Sequence, residues 1–136
     1  MINTLALIED DEVCAFVTQK IIENSHLVKQ IKVFTNGKEA IDFFKLHAAD
    51  AELLPEIIFL DLNMPIMDGW EFIEEYLKLK PKLAKKMALY IVSSSIAAED
   101  VNRIKRIQEI SDYIIKPVTK EKFAELIKVL EKDGLK

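Results

Sequence analysis

The run Ile57-Ile58-Phe59-Leu60-Asp61-Leu62-Asn63-Met64-Pro65-Ile66-Met67-Asp68-Gly69 opens with four apolar residues and ends in an acid and a turn. Four apolar residues without polar alternation read as a strand buried on both faces, the condition of a central strand in a parallel sheet. After the Pro and Gly of the loop, Phe72, Ile73, Tyr76 and Leu77 recur at helical spacing until Pro81 stops them. This is one strand, one loop and one helix, with an acid at the strand's carboxyl end.

The same unit recurs on either side. Leu5-Ala6-Leu7-Ile8 reads as a first strand, and Val13, Phe16, Val17 and Ile21 as the inward stripe of the helix after it. Ile31-Lys32-Val33-Phe34 is a second strand. Asn36, with Glu39 three residues on, caps a helix expected to bury Ala40, Phe43, Phe44 and His47. Downstream, Ala88 to Val92 is a fourth strand and residues 97–108 a fourth helix, with Val101, Ile104 and Ile107 inward and Ser95 as its cap. Tyr113-Ile114-Ile115 is a fifth strand halted by Pro117, and Thr119 caps a last helix burying Phe123, Leu126, Ile127 and Leu130. Five such units predict an α/β fold: an open, doubly wound, five-stranded parallel sheet with five helices and right-handed crossovers. Ligands of such sheets collect at the strands' carboxyl ends, here just after Ile8, Leu60, Val92 and Ile115.

Composition narrows the function classes. The chain has 136 residues, so residues 1–136 are expected to form a single domain with no attached output domain. One cysteine, Cys14, cannot form an internal disulfide, and no apolar stretch approaches the roughly 20 residues of a membrane span. A cytoplasmic location is expected. The net charge of −4 offers no field for a polyanion, which argues against nucleic acid as a partner, and a membrane partner is not expected either.

At the strand ends, Glu9-Asp10-Asp11-Glu12 follows the first strand and Asp61 the third, so three carboxylates can converge. Ionised carboxylates in contact repel unless a proton or a cation sits among them. Mg²⁺ suits such a set, because it accepts two or three carboxylates, a carbonyl and waters and takes a phosphate oxygen readily. Ser93 and Lys116 follow the fourth and fifth strands, and a hydroxyl and an ammonium can each bind a phosphoryl oxygen. Together these groups form a site where Asp61 attacks a phosphoryl donor to give an aspartyl phosphate.

Along nearly its whole length the sequence resembles the receiver domain of bacterial two-component response regulators, of the stand-alone, chemotaxis-receiver-like kind. The resemblance rests on Leu7-Ile8-Glu9-Asp10-Asp11, on residues 58–69, on Ile91-Val92-Ser93-Ser94 and on Asp112-Tyr113-Ile114-Ile115-Lys116-Pro117. It implies a flavodoxin-like sheet in strand order 2-1-3-4-5. It also implies Asp61 as phosphoacceptor, Glu9 and Asp10 with Asp61 as Mg²⁺ ligands, and Asn63 as a further ligand through its backbone carbonyl. Ser93 and Lys116 match the hydroxyl and ammonium that receive the phosphoryl group, the Lys before a typically cis proline. Ser93 and Tyr113 match the switch pair, and Asn63 and Ser95 flank the path of the hydrolytic water. Glu9 stands where Asp is more frequent, and Ser93 where Thr is. The implied partners are a histidine kinase or histidine phosphotransfer protein as donor, and an output protein on the face of the fourth helix, fifth strand and fifth helix. That face carries Arg103, Lys105, Arg106, Lys120 and Lys122 and suits an acidic protein patch.

Two other readings compete. An aspartyl-phosphate phosphatase or mutase also uses an Asp after a parallel strand, but wants a second acid two residues on, where Asn63 stands. A phosphorylation-independent adaptor has no need of the charge cluster. The blander assignments are helix capping for Asp11, a turn glycine for Gly69, and structural roles for His26 and His47. Cys14 is expected to be inert without a basic neighbour, Trp70 to lie at core spacing, and the Arg103 to Arg106 cluster to be solvated.

Overall fold

The computed structural model describes residues 2–132. Five strands form one parallel sheet: β1 (Ile2–Ile8), β2 (Val28–Phe34), β3 (Ile57–Leu60), β4 (Ala88–Ser93) and β5 (Ile110–Ile115). Their order is β2-β1-β3-β4-β5, as the resemblance implies. The central β3 is fully buried along its four residues, whereas the edge strand β2 is only partly covered. The helices are α1 (Glu12–Ser25), α2 (Gly37–Leu46), α3 (Gly69–Leu79), α4 (Ala98–Arg106) and α5 (Lys120–Lys132), with a 3₁₀ turn over Lys80–Lys82 where Pro81 ends α3.

Alternate residues of each strand feed two cores. Ala6, Ile8, Ile58, Leu60, Leu89 and Ile91 pack with Ala40, Phe44, Phe72 and Tyr76 of α2 and α3 on one face. Leu5, Leu7, Ile57, Phe59, Tyr90 and Val92 pack with Ala15, Ile22, Phe123 and Ile127 of α1 and α5 on the other. A sheet apolar on both faces must be covered on both, and this fixes the three-layer architecture.

The structure departs from expectation in several places. α1 buries Ala15, Thr18 and Ile22, while Val13, Phe16 and Val17 are 72%, 60% and 47% exposed. Both stripes have helical spacing. The small Ala15 and Thr18 let the helix axis approach the sheet and α5 closely, which branched and aromatic side chains do not. Phe43 is half-buried, its ring 5.4 Å from Phe34 and 4.5 Å from His47. α4 is shorter than expected and buries Ile104 alone, leaving Val101 and Ile107 half-buried. β5 begins at Ile110, three residues earlier than its apolar run suggests, with an irregularity opposite Leu89 and Tyr90. Ser95 does not cap α4. The N-cap is Ala97, whose backbone N–H donates to the Asp100 carboxylate at 3.3 Å. Thr119 caps α5 as expected, accepting from the Lys122 N–H at 3.1 Å.

Candidate functional site

The carboxyl ends of β1, β3, β4 and β5 bring their polar residues to one rim. Glu9 leaves β1 with its N–H on the Phe34 carbonyl at 2.9 Å, and Asp61 leaves β3 with its N–H on the Ile8 carbonyl at 3.0 Å. The backbones of the two acids are thereby locked to neighbouring strands before their side chains choose a direction. Asp11 accepts from the Val13 and Cys14 N–H groups at 2.9 and 3.0 Å, and these bonds hold its carboxyl below the usual range. It is the N-cap of α1, as its position suggests.

Glu9, Asp10 and Asp61 each offer a carboxylate oxygen, and these oxygens lie within 4.8 Å of one another. Glu9 and Asp61 are buried and Asp10 is exposed. Lys116, from the end of β5, hydrogen-bonds Glu9 and lies 3.7 Å from Asp61. Burial first, and the adjacent Asp61 carboxylate second, raise the Glu9 pKa against the pull of Lys116. On Lys116, burial favours the neutral amine, but the hydrogen bond to Glu9 and the charges of Asp61 and Glu9 together outweigh it, so its pKa is raised. Three acids and one ammonium leave the rim short of positive charge, and an all-oxygen donor set of this size fits a hard divalent cation.

Ser93 is fully buried and donates its hydroxyl to the Ser95 carbonyl at 3.1 Å. Its own carbonyl accepts the Lys116 N–H at 2.9 Å, so β4 and β5 present the hydroxyl and the ammonium in a fixed register. The Lys116–Pro117 peptide is cis. Tyr113 is half-buried on β5 and packs against the core on the α4 side. Asn63 donates its backbone N–H to Asp61 Oδ1 at 3.3 Å. With Ser95, Asp10, Asp68, Trp70 and Asp100 it lines an open cleft of about 510 Å³. Glu9, Asp10, Asp61, Asn63, Ser93, Ser95 and Lys116 thus follow or end the strands at this rim, whereas Tyr113 lies further back on β5 and lines a separate groove between β5 and α5.

Three features escaped the sequence reading. Gly69 does more than turn the chain: a Cβ there would lie 2.7 Å from the Leu62 Cα and 2.8 Å from the Asp61 carbonyl oxygen. The start of α3 is pressed against the backbone that carries Asp61, and the Gly69 N–H bonds the Leu62 carbonyl at 2.9 Å. Nothing in the sequence separates such a contact from an ordinary turn glycine. Trp70 is half-buried, with the Arg103 guanidinium 4.1 Å from its ring, so Arg103 ties α4 to α3. Lys116 is near enough to act on Cys14, although burial dominates and raises that thiol.

The family model of the response regulator receiver domain matches residues 5–128, and the chain belongs to that family. It is 31% identical over 99 residues to the chemotaxis protein CheY of Thermotoga maritima, covering 72% of each. Among solved structures, a two-component response regulator from Cytophaga hutchinsonii superposes with a TM-score of 0.87 at 28% identity, over 96% of this chain and 98% of that one. A phosphorylated cyanobacterial phytochrome response regulator, RcpA, does so with a TM-score of 0.74 at 27% identity, over 98% and 94%.

Proposed function

We propose that this receiver is a Mg²⁺-dependent phospho-accepting switch, with Asp61 as the residue phosphorylated. The observation that carries the reading is the convergence of Glu9, Asp10 and Asp61 within 4.8 Å, beside an ammonium 3.7 Å from Asp61. The donor is a phosphohistidine on a histidine kinase or phosphotransfer protein. An Asp61 carboxylate oxygen attacks phosphorus, the nitrogen–phosphorus bond breaks, and its electron pair stays on the imidazole. Glu9, Asp10, Asp61 and the Asn63 carbonyl would hold the Mg²⁺, which supplies charge neutralisation at the phosphoryl oxygens.

The chain's own residues do the rest. Lys116 transfers its hydrogen bond from Glu9 to a phosphoryl oxygen, and Ser93 releases the Ser95 carbonyl to donate to another. Tyr113 then moves into the space behind Ser93, shifting a two-state equilibrium of the surface of α4, β5 and α5. Asn63 and Ser95 flank the water that ends the signal. In this reading the protein assists its own phosphorylation and dephosphorylation but turns over no separate substrate. It works in the cytoplasm through contact with an acidic protein patch, without nucleic acid or membrane.

The test is incubation with acetyl phosphate and Mg²⁺. One phosphoryl group, labile to alkali and hydroxylamine, is expected on the protein, and Asp61→Asn should abolish it. A label that survives the substitution and maps to a serine or histidine would overturn the reading.

A further inference from the structure

The turn from β2 into α2 touches both segments that carry the acids. At its start the Phe34 carbonyl accepts the Glu9 N–H at 2.9 Å. Three residues on, Gly37 opens α2, buried against the loop between Asp61 and α3. A Cβ at position 37 would lie 3.1 Å from Met67 Cγ, 3.1 Å from the Met67 carbonyl oxygen and 3.2 Å from Met67 Sδ. Carbon atoms in ordinary contact stand about 3.5–4.0 Å apart, so a methyl group there must push Met67 away.

Neither side of this contact is free to yield. The buried Asn36 side chain accepts the Glu39 N–H at 3.0 Å, and Glu39 Oε1 accepts the Thr35 N–H and hydroxyl at 3.0 and 2.9 Å. These bonds tie the first turn of α2 to the end of β2. Behind them Ala40, Ile41 and Phe44 are buried, so the helix cannot back away from the loop. Met67 packs against the core shared by α2 and α3, and its N–H bonds the Pro65 carbonyl at 2.7 Å.

We propose that Gly37 and Met67 are positioning residues for phosphorylation, the start of α2 serving as a stop on which the loop after Asp61 is seated. With the loop seated, the Asp61 carboxylate and the Asn63 carbonyl keep their places beside Glu9. The inference rests on the proposed role of Asp61. Gly37 and Met67 do not line the cleft beside Asn63 and Ser95, so they act through the backbone of the loop. The sign of the effect is diagnostic. Gly37 lacks the left-handed backbone that only glycine tolerates well, and alanine is the better helix former, so without the contact Gly37→Ala would be neutral or stabilising. Pressed against Met67, the added methyl instead shifts the loop and with it the attacking carboxylate.

The test compares Gly37→Ala, Met67→Ala and the double variant in the full chain. Gly37→Ala should move the amide resonances of Asp61 and Asn63 without metal, raise the Mg²⁺ dissociation constant about threefold, and slow phosphorylation by acetyl phosphate about fivefold. Met67→Ala removes two of the three close atoms, so in that background the same substitution should change each quantity by less than about twofold. Lys38→Ala, at the exposed next residue of α2, should leave all three at parental values. Urea unfolding shows whether each variant is folded under the assay conditions; if Gly37→Ala is not, the double variant should still fold and match Met67→Ala. Parental resonances and Mg²⁺ affinity in Gly37→Ala, equal losses in both backgrounds, or a double variant that does not fold would overturn the proposal. A parent label that maps away from Asp61 would instead overturn the phosphoacceptor reading, and the resonances and Mg²⁺ affinity would still decide whether Gly37 seats the loop.

Discussion

Lys116 hydrogen-bonds Glu9 and stops 3.7 Å short of Asp61. The ammonium at the end of β5 rests on an acid of the cluster and leaves the proposed nucleophile without a direct hydrogen bond from it. A Glu at position 9 has one methylene more than an Asp and reaches across the rim to Lys116. Any cation bound by the three carboxylates competes with this ammonium for Glu9.

Adding Mg²⁺ should therefore raise the melting temperature by preferential binding to the folded state, worth about 2.7 kcal/mol at a hundredfold excess over the dissociation constant. Asp10→Asn should remove most of the shift. Lys116→Met, which deletes the competing cation, should tighten Mg²⁺ binding by roughly threefold or more, read from amide shifts in a titration. Melting curves of the parent chain that coincide with and without Mg²⁺ would contradict the site.

The proposed switch runs through Ser93, which is buried and donates to the Ser95 carbonyl at 3.1 Å. Beryllofluoride with Mg²⁺, as a stand-in for the phosphoryl group, should perturb amide resonances across residues 97–127. Ser93→Ala should suppress the distant perturbations and leave Mg²⁺ binding intact. Changes confined to the neighbourhood of Asp61 would rule out this route.

Asn63 donates its backbone N–H to Asp61, and in the proposed function its side chain flanks the hydrolytic water. Asn63→Arg should lengthen the lifetime of the phosphorylated state several-fold by crowding that water. Equal decay rates for the two proteins, followed after removal of the donor, would refute the placement.

Tyr76 is 1% exposed, and burial, with the charge of Glu109 behind it, pushes its phenol from 10.0 up to about 12. Because the folded pKa exceeds the unfolded one, stability is full below pH 10 and falls as pH rises from about 10 to about 12, by roughly 3 kcal/mol in total. Tyr76→Phe should flatten that alkaline limb relative to the parent, measured as urea unfolding free energy at each pH. Identical limbs would show that other groups govern the loss.

Much of this was legible in the sequence because it rests on short-range rules. The unalternating Ile57 to Leu60, the Asn36 and Thr119 caps, and acids at strand ends each carry their own local signal. The face of α1 was not legible, since Val13, Phe16 and Val17 have the same period as Ala15, Thr18 and Ile22. Hydrophobicity favours the first stripe, and close packing against the sheet and α5 selects the second. Nor could the hold of Glu9 on Lys116 be read, because it joins residues 107 apart through side-chain reach. The Gly69 contact depends on how near two backbones come, which composition does not record.

That contact yields the last prediction. Ile66 has φ of 69°, a left-handed conformation costly for a β-branched residue, and the Met67 N–H bonds the Pro65 carbonyl at 2.7 Å across it. The loop from Asp61 to α3 is thus strained at Ile66 and clamped at Gly69, whose missing Cβ would otherwise meet Leu62 and the Asp61 carbonyl at 2.7–2.8 Å. The two substitutions should act in opposite directions. Ile66→Asn, at a side chain 75% exposed, relieves the strain with little burial lost and should stabilise the chain by about 1 kcal/mol. Gly69→Ala must move α3 off the strand end, so it should destabilise by roughly 2 kcal/mol or more and displace Asp61 from its partners. Slower phosphorylation by acetyl phosphate should accompany the second substitution but not the first. Urea unfolding gives the stabilities and mass spectrometry the rates; a Gly69→Ala protein with parental values of both would show that the close approach positions nothing.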